Sequence, residues 1–129
     1  MREQNEKVIV QIYDALAKGD FKKYFSLLSD EIVYYAAGNC QLSGVHKGKE
    51  EIAKLGALTF RETQGTHNVV LQSMVATNAY VAVVDKWKAS RKDRNIEMSN
   101  ILVYKLVEGK VAEIREYIED EKAHDDFWS

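Results

Sequence analysis

The sequence contains no proline, only one cysteine and no long uninterrupted run of apolar residues. The lone Cys40 excludes an internal disulfide framework and fits a reducing compartment such as the cytoplasm. No apolar run reaches the length of a membrane span, and the charged first segment is unlike a signal peptide. The net charge is −2, without the basic patch that nucleic-acid binding requires. These absences predict a cytoplasmic protein that binds neither membranes nor nucleic acids.

The composition of the sequence is that of a folded, globular chain. Of the 129 residues, 46% are hydrophobic and 29% are charged, which is a globular composition and enough for one core. We find no internal repeat and no low-complexity linker. Residues 1–129 are therefore predicted to form a single domain.

Three helices are predicted in the first half of the chain. Apolar residues recur at helical spacing in residues 3–18, 21–28 and 49–63. Gly19 is suited to end the first helix, and Asp20 to cap the second. Residues 31–37 are predicted to form a strand, followed by a glycine-rich loop or broken strand.

The second half predicts a meander of four strands. They cover residues 66–77, 79–89, 95–107 and 111–120, with tight turns between them. The first of these strands alternates too poorly for its faces to be assigned. Helices followed by an antiparallel meander predict an α+β fold with helices on one face of the sheet.

Two carboxylates lie on an otherwise apolar face of the last predicted strand. That face carries Ala112, Ile114, Glu116, Ile118 and Asp120, whereas Val111, Glu113, Arg115, Tyr117 and Glu119 form the outer face. If the first face points inward, burial will raise the pKa of Glu116 and Asp120. Glu116 is then a candidate general acid or base, or else a rim carboxylate paired with a cation. Asp120 is a second catalytic candidate, with a solvated rim position as its alternative.

Neighbouring strands add polar groups to the same side. Asp85 shares an apolar face with Trp87, and Asn100 is the only amide on the face of its strand. Asp85 is a catalytic candidate, or a buried carboxylate satisfied by backbone or a tyrosine hydroxyl. Asn100 is a donor to a ligand carbonyl, or makes a strand-end hydrogen bond. Convergent polar groups on apolar faces predict a ligand pocket.

Aromatic residues complete the predicted pocket. Trp87 and Tyr35 are interpreted as pocket wall, or as ordinary core. The tail places Trp128 after a polar stretch, and we expect the tail to fold back so that Trp128 covers the cavity or packs on a partner subunit.

Metal and cofactor signals are missing. His46, His67 and His124 lack the spacing of a metal site, and Cys40 has no evident base beside it. The sequence contains no phosphate-binding glycine loop, nucleophile elbow or dinucleotide fingerprint. We therefore predict no metal and no cofactor.

Two segments resemble a known family. Residues 30–52, DEIVYYAAGNCQLSGVHKGKEEI, and the ending EGKVAEIREYIED with its DDFW tail are similar to SnoaL-like polyketide cyclases, relatives of ketosteroid isomerase in the nuclear transport factor 2-like superfamily. The resemblance implies a conical, cystatin-like α+β barrel. In it, three N-terminal helices pack on a strongly curved antiparallel or mixed sheet, and two copies pair through the outer sheet face. It also places an acid–base carboxylate near Glu116. A water-holding Tyr-x-Asn pair of the related epoxide hydrolase is replaced here by Val33, Tyr34 and Tyr35, which argues against a water-activating hydrolase.

Two hypotheses about function follow. The first is a cofactor-free acid–base enzyme, an isomerase, cyclase or dehydratase, that acts on a small apolar carbonyl compound in the cavity. In it, Glu116 or Asp85 moves the proton, and Asn100 or a tyrosine holds the oxyanion. The alternative is a non-catalytic binding module for an apolar ligand, or a dimeric interaction domain.

Overall fold

A computed structural model describes all 129 residues, which form four helices and six strands. In chain order these are α1 (Arg2–Lys18), α2 (Phe21–Ser26), β1 (Leu28–Ala36), β2 (Gly44–Lys47), α3 (Gly48–Thr63), β3 (Asn68–Ala76), β4 (Tyr80–Arg91), β5 (Arg94–Val107), β6 (Lys110–Ile118) and α4 (Glu121–Trp128). None of the helices is both long enough and apolar enough to cross a membrane.

The six strands form one open sheet in the order β2-β1-β6-β5-β4-β3. All neighbours are antiparallel except β1 and β6, which run parallel and make the sheet mixed. Helices α1 and α3 pack on the inner face of this sheet. The predicted α+β fold, with helices on one face of a mixed sheet, is confirmed.

Two apolar clusters hold the helices on the sheet. In the larger one, the predicted stripe of α1, including the fully buried Ile9 and Ile12, packs against Val81, Val83 and Ile114 on the strands. The smaller cluster joins the end of α4 to β4 and β5. Its buried members are Trp87, Ala89, Met98, Phe127 and Trp128. Burying these side chains is the main favourable term for the fold.

Local signals set the ends of several elements. Gly19 ends α1 with a φ of 68°, and the Asp20 carboxylate caps α2 by accepting from the Lys23 N–H at 3.1 Å. Lys92 and Asp93, like Glu108 and Gly109, have positive φ at both positions. Such pairs form the two-residue turns that join antiparallel strands. The predicted cap and hairpins are confirmed.

Besides a register shift between Leu28 and Val33 of β1, two irregularities in strand pairing were not predicted. Lys105 lies opposite Glu113 but Leu106 lies opposite Val111, so β6 has a bulge at Ala112. Val111 is therefore fully buried, and its assignment to the outer face was wrong. A second shift, between Leu71 and Ser73 in β3, explains the poor alternation of that strand.

Several elements differ from the predicted ones in extent or number. The glycine-rich loop includes the short edge strand β2, and α2 ends at Ser26, before its predicted end. The tail forms the helix α4, so a fourth helix adds to the three predicted ones. The tail folds back on the sheet as expected.

Candidate functional site

A cavity of about 580 Å³ opens between the helices and the inner face of the sheet. This volume is typical of a site for a small organic ligand. Most of its lining is hydrophobic. The polar and aromatic lining residues used below are Tyr13, Tyr34, His67, Asp85, Trp87, Asn100, Tyr104, Glu116, His124 and Trp128.

Asp85 lies on the inner face of β4 and ends a chain of hydroxyl groups. Tyr13 of α1 donates to Asp85 Oδ2 at 2.7 Å, and the hydroxyls of Tyr13 and Tyr104 are 2.9 Å apart. Since Tyr13 has one proton, Tyr104 donates to Tyr13 whenever Tyr13 donates to Asp85. Burial raises the pKa of Asp85 to about 6, against the opposing effect of the Tyr13 hydrogen bond. Asp85 can therefore exchange a proton near neutral pH.

Glu116 is the second carboxylate of the cavity and comes from β6. Its Oε2 accepts from the Tyr34 hydroxyl at 3.1 Å, and its Oε1 accepts from the Ala37 N–H at 3.1 Å. Burial nevertheless raises its pKa above the ordinary value of a glutamate. The negative charge of Glu116 also raises the pKa of Asp85, so ionising one disfavours ionising the other.

An aromatic wall closes one end of the cavity. The rings of Trp87 and Trp128 are nearly parallel with centroids 6.2 Å apart, and the ring centroid of His67, just before β3, lies 5.5 Å from that of Trp87. Burial lowers the pKa of His67 to about 4, so this ring is neutral and apolar in character at pH 7. In the amide orientation that satisfies both neighbours, Asn100 accepts from Trp87 Nε1 at 3.0 Å and donates to the Ser99 carbonyl at 3.0 Å. Asn100 thus fixes the indole of Trp87.

Five of the seven predicted site residues line this cavity. They are Glu116, Asp85, Trp87, Asn100 and Trp128. The other two lie elsewhere. Asp120 is exposed after the end of β6, and its carboxylate caps α4 by accepting from the Ala123 N–H at 3.0 Å. The strand ends at Ile118, so the alternation that placed Asp120 inward does not reach it.

The prediction that Tyr35 forms part of the pocket wall was also wrong. It pairs with Arg115 on the outer side of the sheet, and the guanidinium lies 4.0 Å from its ring centroid. Tyr34, which pairs with the buried Ile114, lines the cavity instead. A register shift between Leu28 and Val33 leaves the sequence pattern ambiguous about which tyrosine faces inward.

Other polar residues of the site were missed. Tyr13 and Tyr104 lie among the apolar residues of α1 and β5, although a buried tyrosine hydroxyl needs a partner and so signals a polar contact. Cys40, His124 and Asp125 bring a thiol, an imidazole and a carboxylate within 4.8 Å of one another. Because Cys40 and the other two residues are distant in sequence, no spacing motif could reveal this cluster.

These features define an apolar, carboxylate-bearing cavity inside a cystatin-like α+β fold, and comparison with known proteins agrees. The family model of the SnoaL-like domain matches residues 9–114, and the chain belongs to this family. Bal32a, from a soil-derived mobile gene cassette, is 27% identical with a TM-score of 0.95, and the match covers 99% of this chain and 98% of Bal32a.

Two further solved structures support the fold. A protein with a cystatin-like fold from Xanthomonas campestris is 20% identical with a TM-score of 0.92, over 97% of this chain and 98% of that one. A nuclear transport factor 2-like protein from Burkholderia xenovorans LB400 is 23% identical with a TM-score of 0.83, over 100% of this chain and 98% of that one. The predicted family and cystatin-like α+β fold are confirmed, with a six-stranded sheet that is open and not a closed barrel.

Proposed function

We propose that this SnoaL-like protein is a cofactor-free acid–base enzyme that moves a proton next to the carbonyl of a small apolar compound. The observation that carries the proposal is the pair of carboxyl groups with raised pKa, Asp85 and Glu116, on one apolar cavity. An environment that shifts the pKa of a carboxyl group toward neutral pH allows the group to act as an acid or a base.

Asp85 is the base in this proposal. Tyr13 occupies only its Oδ2, and Oδ1 has no hydrogen-bond partner within the protein. With a pKa of about 6, Asp85 is largely ionised at pH 7 and retains basicity above that of an exposed aspartate. Proton transfer to Oδ1 leaves the Tyr104–Tyr13–Asp85 chain in place, so the geometry need not reorganise.

Glu116 and Tyr34 face the oxygen of the carbonyl. When Glu116 is protonated it can donate to the Tyr34 oxygen, which frees the Tyr34 hydroxyl, now 3.1 Å from Glu116 Oε2, to donate to the carbonyl. Such donors stabilise the negative charge that develops on the oxygen when the adjacent carbon loses its proton. Trp87 and Trp128 offer a flat apolar surface on which a ring-bearing substrate can stack.

Hydrogen–deuterium exchange tests this chemistry without knowledge of the natural substrate. 2-Tetralone, an apolar cyclic ketone, is incubated with the protein in D₂O, and loss of its α-proton signals is followed by NMR. We expect exchange above the buffer rate that increases with pH around a midpoint near 6, the pKa of Asp85. Asp85→Asn should lower the enzymatic rate by about 100-fold or more.

Matched variants and a binding signal complete the experiment. Glu116→Gln should also slow exchange while retaining ketone binding, whereas Asp14→Asn, at an exposed carboxylate on α1, should leave the rate unchanged. The chain has two tryptophans, and both line the cavity, so quenching of intrinsic fluorescence reports binding there. Normal exchange in both Asp85→Asn and Glu116→Gln would show that the acid–base assignment is wrong.

A non-catalytic binding module is the second candidate function. It is favoured by Glu116, whose two oxygens are each satisfied by a protein donor without any ligand. Fluorescence quenching by 2-tetralone with no exchange above buffer would support this alternative.

A further inference from the structure

A second polar cluster lies beside the aromatic wall, and the proposed acid–base chemistry makes no use of it. It consists of Cys40, in the loop between β1 and β2, and of His124 and Asp125 on α4. The sulfur, a ring nitrogen and a carboxylate oxygen lie within 4.8 Å of one another. A nucleophile, a base and a group that orients the base are therefore together.

The imidazole of His124 is held in one position. Its Nδ1 is 3.1 Å from Asp125 Oδ1, and both carboxylate oxygens of Asp125 accept from the Asn39 N–H at 3.0 and 3.1 Å. The Gly38 backbone packs so closely that an added Cβ would lie 2.6 Å from Asp125 Oδ1 and 3.1 Å from His124 Nδ1. His124 and Asp125 are thus fitted against the loop that carries the thiol.

The sulfur of Cys40 faces hydrogen-bond donors. Ser43 Oγ lies 3.4 Å from Sγ and 2.9 Å from the Ala37 carbonyl, so its one proton can turn to either acceptor. Burial alone would raise the pKa of the thiol, but the neighbouring His124 and Ser43 side chains and the Leu42 backbone outweigh it, and the pKa lies below the ordinary value. These donors favour the thiolate, which is the nucleophilic form.

The electrostatics of His124 act in the same direction. Burial would lower the pKa of the imidazole, but Cys40 and Asp125 raise it above the ordinary value, and the charge of Glu116 on β6 adds to this effect. The neighbouring aromatic rings of Trp87 and Trp128 carry no charge. The lowered pKa of Cys40 and the raised pKa of His124 therefore both favour a thiolate beside an imidazolium.

We propose that Cys40 is a reactive thiol that reduces small hydroperoxides and is itself oxidised to a sulfenic acid, with His124 as its proton donor and Asp125 as a positioning residue. Cys40 is partly exposed and does not line the cavity, whereas His124 and Leu42 do. A small oxidant therefore suits the thiol better than a ligand that fills the cavity.

The reaction balances with the peroxide as oxidant. The thiolate sulfur attacks one peroxide oxygen, an S–O bond forms and the O–O bond breaks. Sulfur loses two electrons, and the departing oxygen takes the proton of the His124 imidazolium and leaves as water from hydrogen peroxide. Cys40 is left as sulfenic acid and His124 as neutral imidazole. An external thiol can reverse the oxidation.

Alkylation kinetics test the activation of the thiol. Because Cys40 is the only cysteine, iodoacetamide reports on it alone. The rate is measured on the full chain by mass spectrometry from about pH 5 to 9, a range that brackets an ordinary thiol pKa of about 8.5. We expect a midpoint below that value and, at pH 6, a rate about tenfold above that of His124→Gln, whose thiol lacks the imidazolium.

Asp125→Asn keeps the size of the side chain, so it tests positioning even if His124→Gln fails to fold. It should raise the midpoint of the alkylation profile, because it removes the charge that supports the imidazolium. Asp126→Asn, at the next and largely exposed carboxylate of α4, should leave the midpoint where it is. A wild-type midpoint near 8.5 that Asp125→Asn does not move would overturn the proposal.

Trapping identifies the oxidised product. Hydrogen peroxide is added in the presence of dimedone, and we expect one adduct at Cys40 in the wild-type protein and none in Cys40→Ser. A wild-type protein that forms no adduct would also overturn the proposal. Cys40→Ser should retain the ketone exchange described above, so failure of the thiol chemistry and failure of the acid–base chemistry are separate results.

Discussion

The buried position of Asp85 lowers the free energy of unfolding of the protein at neutral pH. Its pKa rises from 3.8 in the unfolded chain to about 6 in the native protein, because burial disfavours the charged form. A carboxyl group with a raised native pKa binds more protons folded than unfolded, so stability falls as pH rises between these values. The shift corresponds to about 3 kcal/mol of lost stability above pH 6.

Asp85→Asn should therefore stabilise the protein at alkaline pH. The amide oxygen can still accept from Tyr13, but no charge has to be buried. We expect the free energy of unfolding of the variant, relative to wild type, to increase by about 1–2 kcal/mol between pH 5 and pH 8. Urea unfolding at the two pH values measures it. A difference that does not change with pH, as we expect for the exposed control Asp14→Asn, would contradict the raised pKa.

Among the elements, the end of α4 is held by two arginines, the buried Arg91 and the exposed Arg94, which donates to the Asp126 carbonyl. Arg91 at the end of β4 is 6% exposed and donates to the Phe127 carbonyl at 3.0 Å, to Ser129 O at 2.6 Å and to Glu62 of α3 at 2.8 Å. These bonds satisfy the carbonyls at the end of α4 that have no partner within the helix. They also hold Trp128 against the cavity.

Arg91→Met should loosen this end of the molecule. The substitution keeps apolar bulk but leaves buried acceptors unpaired, which should lower the free energy of unfolding by about 2–4 kcal/mol. Amide hydrogen exchange should accelerate in residues 121–128 more than in α1. Lys86→Met is the control, since its surface ion pair with Glu97 is worth at most about 1 kcal/mol. Equal losses in the two variants would show that Arg91 does not anchor α4.

Periodicity predicted most helices and strands but failed where pairing is irregular. The apolar stripe of α1 and the alternation of β4 follow from local geometry, and both were found as predicted. The bulge at Ala112 depends on how β6 meets β5, so it leaves no mark in the sequence of β6 alone. It reversed the assignment of Val111 without disturbing that of Glu116. In the same way, the register shift in β1 is the reason that Tyr35, and not Tyr34, was predicted to face the cavity.

The candidate site was predictable only in part, for a related reason. Asp85, Glu116 and Asn100 each stand out as polar residues on an apolar strand face. The contacts that define their chemistry, such as Tyr13 with Asp85, join elements far apart in the chain. Cys40 with His124 and Asp125 is a second case. Tertiary packing alone brings such groups together.

At the scale of the whole molecule, the outer sheet face is left uncovered by any helix. At its centre Ile101 and Tyr117 pair across β5 and β6 and are 48% and 54% exposed, with Val84 beside Ile101 on β4. Water-exposed apolar side chains grouped on a sheet face are typical of an interface. We propose that two copies of the chain pair through this face, with the same residues contributed by each copy.

Sedimentation equilibrium tests the pairing, since the wild type should sediment at twice the chain mass of 14.8 kDa. Ile101→Lys places two like charges at the centre of a two-fold interface, and we expect it to sediment as a monomer with the cavity intact. Val10→Lys is a matched control, because Val10 is also 48% exposed but lies on α1. A monomeric wild type, or a dimer that survives Ile101→Lys, would show that this face does not join the subunits. Because the cavity opens on the opposite side of the sheet, ketone binding should be equal in the monomer and the dimer.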